Sequence, residues 1–171
     1  MVYRIVKYGN PILEKPAGPV ANFNTPDLRE LVANMFETMY AHKGVGLAAP
    51  QIGLAQRLTV IDCSAGEDPL QKVVLINPEI VRKEGVQIGE EGCLSIPGFR
   101  EDVRRAKVAV VRAMNVEGES FELTGEDLLA RAIQHETDHL NGVLFLSHLS
   151  LLKRDIIRRR IRKMIKAGEW K

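Results

Sequence analysis

The sequence predicts an α+β domain in which short, mainly antiparallel strands pack around one central helix, with an N-terminal and a C-terminal helix beside it. Three observations carry this expectation. Apolar residues recur at helical spacing in three separate stretches. The strand-like runs are short, apolar or β-branched, and bounded by Gly, Pro and charged turns. Helices and strands do not alternate as regular βαβ units. With 171 residues and 45% hydrophobic content, the chain is long enough for one domain with a full-sized core.

Residues 3–6 form a short apolar opening, followed by turn-rich sequence as far as Pro26. Thr25-Pro26-Asp27 reads as a helix start: a capping residue, Pro at the first helical position, then an acid. Leu28, Leu31, Val32, Met35 and Met39 give that helix an apolar stripe, and Gly44 is expected to stop it. The segment Gly44-Val45-Gly46-Leu47-Ala48-Ala49-Pro50-Gln51-Ile52-Gly53 has three glycines and almost no bulky polar group. Strands are expected over 58–62, 73–76, 79–81, 108–111 and 121–123. Thr124 is expected to cap the central helix, and Glu126 and Asp127 to place negative charge in its first turn, where the helix dipole favours it. Leu128, Ala132, His135 and His139 lie on one stripe of that helix, and Asn141-Gly142 closes it. One more short strand is expected at 143–145 and a long helix from about Ser150.

No apolar stretch is long enough to span a bilayer, and residues 1–10 lack the features of a secretory signal or transit segment, so no membrane partner is expected. Two cysteines, Cys63 and Cys93, are too few for a disulfide scaffold and point to a reducing compartment, hence a cytoplasmic location. The net charge of +2 conceals an asymmetry: residues 151–171 hold nine Lys or Arg against Asp155 and Glu169, a net +7, which leaves −5 on the rest. In this tail Leu152, Ile156, Ile161, Met164 and Ile165 recur at helical steps with Arg and Lys on the other face. Such a helix is either a solvated cover of its own domain or a contact for an anionic partner.

The chemistry is concentrated in His135-Glu136-Thr137-Asp138-His139. Two histidines four apart on a helix project from one face, so their ring nitrogens can converge on one metal ion, as in H-E-x-x-H metallohydrolases. Glu136, between them in angle, is placed to handle a proton on water without occupying a ligand position. A core helix whose histidines are satisfied by hydrogen bonds is the bland alternative, and the flanking Glu in a capped helix weighs against it. A catalytic metal usually takes three protein ligands, so a third is needed. Cys93, in Glu90-Glu91-Gly92-Cys93-Leu94-Ser95-Ile96-Pro97-Gly98, is the better candidate; His148 lies in a different context and Cys63 reads as a small buried residue. Spacing alone leaves Cys93 open between ligand and buried apolar residue.

Three segments then carry a resemblance: Gly44-Val45-Gly46-Leu47-Ala48-Ala49-Pro50-Gln51, Glu91-Gly92-Cys93-Leu94-Ser95 and Gln134-His135-Glu136-Thr137-Asp138-His139. Together, in this order, they resemble the three signature segments of peptide deformylases, and the likeness extends through Pro11-Ile12-Leu13 and Ile76-Asn77-Pro78 to cover nearly everything up to the tail. The resemblance implies a hydrolase that removes the formyl group from the N-terminal formyl-methionine of newly made polypeptides. It implies Cys93, His135 and His139 as metal ligands and Glu136 as the acid and base. It further implies Gln51 and the backbone N–H of Leu94 as oxyanion donors. The ion implied is Fe2+, with Zn2+, Ni2+ or Co2+ able to occupy the same donors, although the Irving–Williams order favours zinc over iron. Gly44 and Gly46 would let the loop backbone lie against an extended substrate. Val45, Leu128 and Ala132 are expected to line an apolar methionine pocket, with Glu91 and Arg100 at its border by similarity. Two departures are expected to matter: Arg131, where an apolar residue is more usual, should make the pocket rim more polar, and Gly98-Phe99 replaces a more polar pair. Residues 1–148 are thus expected as the catalytic domain and 149–171 as a basic helix packed on or extending from it, a candidate contact with the ribosome.

Overall fold

The computed structural model describes residues 1–171. It contains seven strands, β1 (Gly46–Ala48), β2 (Leu58–Ile61), β3 (Val73–Glu84), β4 (Gln87–Cys93), β5 (Ile96–Arg105), β6 (Val108–Met114) and β7 (Ser120–Glu126). Three α-helices accompany them: α1 (Pro26–Ala41), α2 (Asp127–Leu140) and α3 (Leu151–Lys166). The strands form an antiparallel five-stranded sheet in the order β1-β2-β3-β6-β7 and a separate β4-β5 hairpin. The α+β class read from the sequence is the architecture observed.

The sheet carries a helix on each face. Alternate residues of β2 point to opposite sides: Leu58 and Val60 join Met35, Met39 and Leu47 beneath α1, while Ile61 joins Leu75, Val111, Ala130 and Ile133 beneath α2. Strand β2 is buried along its whole length, which is why it reads as a continuous apolar run rather than an alternation. A third cluster binds the hairpin to the C-terminal helix, with Ile96 and Val103 meeting Leu13, Phe145, Ile157 and Ile161.

Helix α1 starts as its sequence requires: Thr25 Oγ1 accepts the Leu28 N–H at 3.1 Å and Pro26 occupies the first turn. It does not end at Gly44. The left-handed residue is Lys43 (φ 57°), with the Lys43 N–H bonded to Tyr40 O and the Gly44 N–H to Met39 O, a Schellman closure built on lysine. Helix α2 also begins differently from expectation. Thr124 belongs to β7, Glu126 holds the capping position without a side-chain bond, and Asp127 turns the chain at φ 51°. The expected strands 73–76 and 79–81 are one strand, broken in register at Asn77 (φ 50°), whose side chain bonds both Val20 N and Val20 O. No strand forms at 143–145; Phe145–His148 is a 3-10 turn.

The hairpin escapes sequence reading because its pattern is inverted. Gln87, Gly89 and Glu91 face inward while Ile88 is 68% exposed, so alternation is present with polar residues on the protected side. In α3 the Ser150 cap is found, but the stripe is shifted: Ile157 and Ile161 are buried, whereas Leu152, Ile156 and Ile165 are exposed.

Candidate active site

Helix α2, the β4 end of the hairpin and the loop around β1 meet at a cleft of about 710 Å³. His135 and His139, one turn apart on α2, bring their Nε2 atoms to 3.2 Å, and Cys93 Sγ lies 3.4 Å from His139 Nε2. The three donor atoms all lie within 4.8 Å of one another. Two nitrogens bound at about 2.05 Å to one tetrahedral ion stand about 3.3 Å apart, and a nitrogen and a sulfur about 3.5 Å apart. The observed spacings fit one ion held by a thiolate and two imidazoles.

The surroundings fix this donor set. Glu91, 4% exposed, faces His135 Nδ1 with Oε1 at 2.8 Å, which directs the lone pair of Nε2 toward Cys93 and His139. Arg105 grips Glu91 with Nε to Oε2 at 2.8 Å and Nη2 to Oε1 at 2.9 Å, and reaches Asp138 Oδ2 at 2.7 Å. Arg131 Nη1 adds a bond of 2.6 Å to Glu91 Oε2. Burial alone would push the Glu91 carboxyl up; Arg105 and His135 outweigh it and hold Glu91 well below the usual carboxylate range. Burial likewise opposes ionisation of Cys93, yet the His139 and His135 rings bring its thiol down to about 5, so sulfur is present as the nucleophilic, metal-binding thiolate.

Glu136 lies on the same helix but points to the β1 side. Burial pushes its carboxyl above the ordinary carboxylate range, and Thr59 Oγ1 stands 3.4 Å from its Oε2. Gln51 is anchored through Oε1, which accepts the Ala48 N–H at 2.9 Å; its Nε2 is thereby turned to Cys93 Sγ at 3.5 Å and Ser95 Oγ at 3.2 Å. The Leu94 N–H has no acceptor within the protein.

The remaining residues singled out from the sequence, Gly44, Val45, Gly46, Glu91, Arg100, Leu128 and Ala132, all line the same cleft. Arg100 does so from an exposed position, bonded to Glu90 at 2.5 Å. Arg131 lines the cleft as well, but its side chain is only 8% exposed and held in the polar network between helix and hairpin. Sequence reading missed Arg105, Thr59 and Ser95. A threonine inside the apolar run 58–61 is a faint signal; Arg105, one of many arginines, gives none.

The chain is similar to known proteins in both sequence and fold. The family described as Polypeptide deformylase matches residues 2–155. The chain is 61% identical over 170 residues to the peptide deformylase of Acidobacterium capsulatum, covering 99% of each, and 49% identical to that of Alkalilimnicola ehrlichii, covering 96% of this chain and 91% of the relative. A crystal structure of a peptide deformylase from Legionella pneumophila superposes with a TM-score of 0.91 at 44% identity, covering 100% of this chain and 99% of the other. The peptide deformylase from Thermus thermophilus gives a TM-score of 0.87 at 41% identity, covering 98% of each. With that match over nearly its whole length, the chain belongs to the polypeptide deformylase family.

Proposed function

We propose that this chain hydrolyses the formyl amide at the N-terminal formyl-methionine of newly made polypeptides, releasing formate and a free amine. The observation that supports it most is the meeting of the Cys93 thiolate with the two imidazoles of α2, beside a buried carboxyl on the same helix. In this reading Cys93, His135 and His139 hold the ion. A divalent cation there supplies Lewis acidity, making water a better nucleophile near neutral pH and offsetting charge on the formyl oxygen.

The other steps fall to the chain itself. Glu136, raised by burial, accepts the proton as water attacks the formyl carbon. It then passes that proton to the departing amine nitrogen as the C–N bond breaks. The uncommitted Leu94 N–H and the Gln51 amide, held in orientation by Ala48, are the donors for the oxyanion. Gly44, Val45 and Gly46 form the edge along which an extended substrate lies, and Val45, Leu128 and Ala132, bordered by Glu91 and Arg100, receive the methionine side chain.

The thiolate and imidazole set suits Fe2+, Zn2+, Ni2+ and Co2+; we assign Fe2+ as the resident ion on the resemblance of the three signature segments. Metal analysis of anaerobically purified protein tests that choice. The polypeptide substrate and the basic 149–171 helix, appended to the 1–148 catalytic domain, point to action at the ribosome in the cytoplasm. No helix is long and apolar enough to cross a membrane. The decisive assay compares formyl-Met-Ala-Ser with an internal-bond peptide substrate. Release of formate from the first alone supports the reading, and internal cleavage of the second defeats it.

A further inference from the structure

Strand β5 carries a bulge at the cleft. Between the register pairs Glu91–Glu101 and Cys93–Ile96, Gly92 alone stands opposite residues 97–100. Pro97, Gly98, Phe99 and Arg100 all line the cleft. Extra residues in one strand have no ladder partners, so side-chain packing has to fix their shape. Gly98 turns at φ +84°, and a Cβ built on it would meet nothing within 4 Å, so the tip of the bulge stands clear of the rest of the protein. Arg100 crosses Gly92 from an exposed position. Phe99 is the inward anchor. It packs against the cluster of Ile96, Phe145 and Ile157, and its ring stands 6.2 Å from that of Trp170 at 57°, within the range of favourable tilted pairs.

Trp170, the only tryptophan of the chain, comes from outside the hairpin. Helix α3 closes on Gly168 (φ 71°), whose N–H donates to Ile165 O at 3.1 Å while the Glu169 N–H donates to Met164 O at 2.9 Å. The chain leaves this Schellman turn toward the hairpin, and the Trp170 Nε1–H donates to Tyr8 O at 2.9 Å. The segment holding Tyr8 is itself bonded to the site, Tyr8 N–H to Ser95 O and Val6 N–H to Gln51 O, each at 2.8 Å. Trp170 is thus fixed to the frame of the site on one side and carries Phe99 on the other.

We propose that Trp170 is a positioning residue that, through Phe99, holds the 97–100 bulge as the part of the cleft wall receiving the residues after methionine. This rests on the deformylase reading and deepens it. The methionine pocket is assigned to Val45, Leu128 and Ala132, with Arg100 at its border. Pro97, Gly98 and Phe99 are cleft wall that this pocket leaves over for the rest of the polypeptide. Contacts of that kind bind substrate and transition state alike, so their loss raises KM and leaves kcat in place.

The test compares formyl-Met amide with formyl-Met-Ala-Ser in the wild type, Trp170→Ala and Trp170→Phe. Trp170→Ala is expected to raise KM for formyl-Met-Ala-Ser about fivefold, with its kcat and both parameters for formyl-Met amide within about twofold. Trp170→Phe keeps a ring against Phe99 and should restore most of the loss. Equal slowing of both substrates, or no change in either, assigns Trp170 a purely structural role and overturns the proposal. A phenylalanine variant no better than the alanine one overturns it too, because ring packing is then not what holds the bulge. Should Trp170→Ala fail to fold, the wild type decides alone. Trp170 fluorescence is expected to shift with saturating Met-Ala-Ser and not with methionine amide; an unshifted spectrum, or the same shift with both, overturns the proposal. Wild-type protein inactive on both formyl substrates defeats the deformylase reading itself, a result distinct from the others.

Discussion

Gly46 and Glu136 are packed so closely that a β-carbon on the glycine would stand 2.8 Å from Glu136 Cδ. The loop glycine therefore has a role beyond letting a substrate backbone approach. It is the surface against which the buried carboxyl of α2 is seated. Gly46→Ala has to displace that carboxyl, since β1 is pinned by pairing with β2. We expect Gly46→Ala to lower kcat on formyl-Met-Ala-Ser about a hundredfold, in line with a mispositioned acid–base group. Glu136→Ala should fold, retain the ion and lose nearly all turnover. Normal activity in the latter variant rules out Glu136 as the proton carrier.

Glu91 gathers Arg105, Arg131 and His135 around one carboxylate at 4% exposure. Replacing it with Gln leaves the buried Arg131 guanidinium without a counter-charge and Arg105 with Asp138 alone, which should cost about 3–5 kcal/mol in chemical denaturation. The same change puts a neutral amide in place of the carboxylate facing His135 Nδ1, and metal affinity by chelator competition should fall about 10–100-fold. If stability falls while affinity holds, the carboxylate braces the hairpin and does not orient the ligand.

A pH-dependent contribution sits away from the cleft. Tyr40 Oη donates to Asp62 Oδ2 at 2.5 Å, and Asp62 also accepts from Ser64 and Gly66. Burial together with Asp62 raises the Tyr40 phenol to about 12. Burial would raise the Asp62 carboxyl, but the bonds from Ser64 and Tyr40 outweigh it and keep Asp62 below the ordinary value. The raised phenol contributes stability fully present below the unfolded tyrosine value of about 10 and lost as pH rises through about 12. The depressed carboxyl contributes stability present above about 3.9 and lost as pH falls through its lower folded value. Tyr40→Phe should cost about 1.5–3 kcal/mol near neutral pH. It should also remove the late-titrating phenol from an ultraviolet absorbance titration. An unchanged titration curve would show that Tyr40 ionises as a free phenol.

The separation between what the sequence displays and what it hides follows the polarity of each interface. Helix α1 and strands β2 and β6 bury apolar residues in regular spacing, so periodicity locates them. His135, Glu136 and His139 are legible because helical spacing alone brings 135 and 139 together. Cys93 ends a strand, β4, whose protected residues are Gln87, Gly89 and Glu91, facing Val103 and Arg105 of β5, and no apolar alternation marks β4. Arg131 reads as a polar rim because one residue type says nothing of the three acceptors and the facing glycine that surround it. The helix start expected at Thr124 fails for a related reason: β7 continues two residues farther, held by pairing of Thr124 with Val110 in β6. Tertiary pairing there overrides a good capping residue.

The C-terminal helix calls for a subtler test than deletion. Ile157 and Ile161 are 5% and 1% exposed within the cluster containing Leu13 and Phe145, which also stacks near His135. Removing 149–171 would strip that cluster and confound any loss of ribosome binding with unfolding. Arg159, Arg160, Arg162 and Lys163 are exposed, so changing all four to Ala should leave stability within about 0.5 kcal/mol per site. If the helix contacts ribosomal RNA, affinity should fall with added salt, and the variant should show a slope shallower by roughly 0.7–0.9 for each phosphate contact removed. Turnover of a short formyl peptide should be unaltered, because none of the four lines the cleft. Equal affinity and equal salt dependence for the two proteins would mean that this basic face is only a solvated cover of the Ile157 and Ile161 cluster.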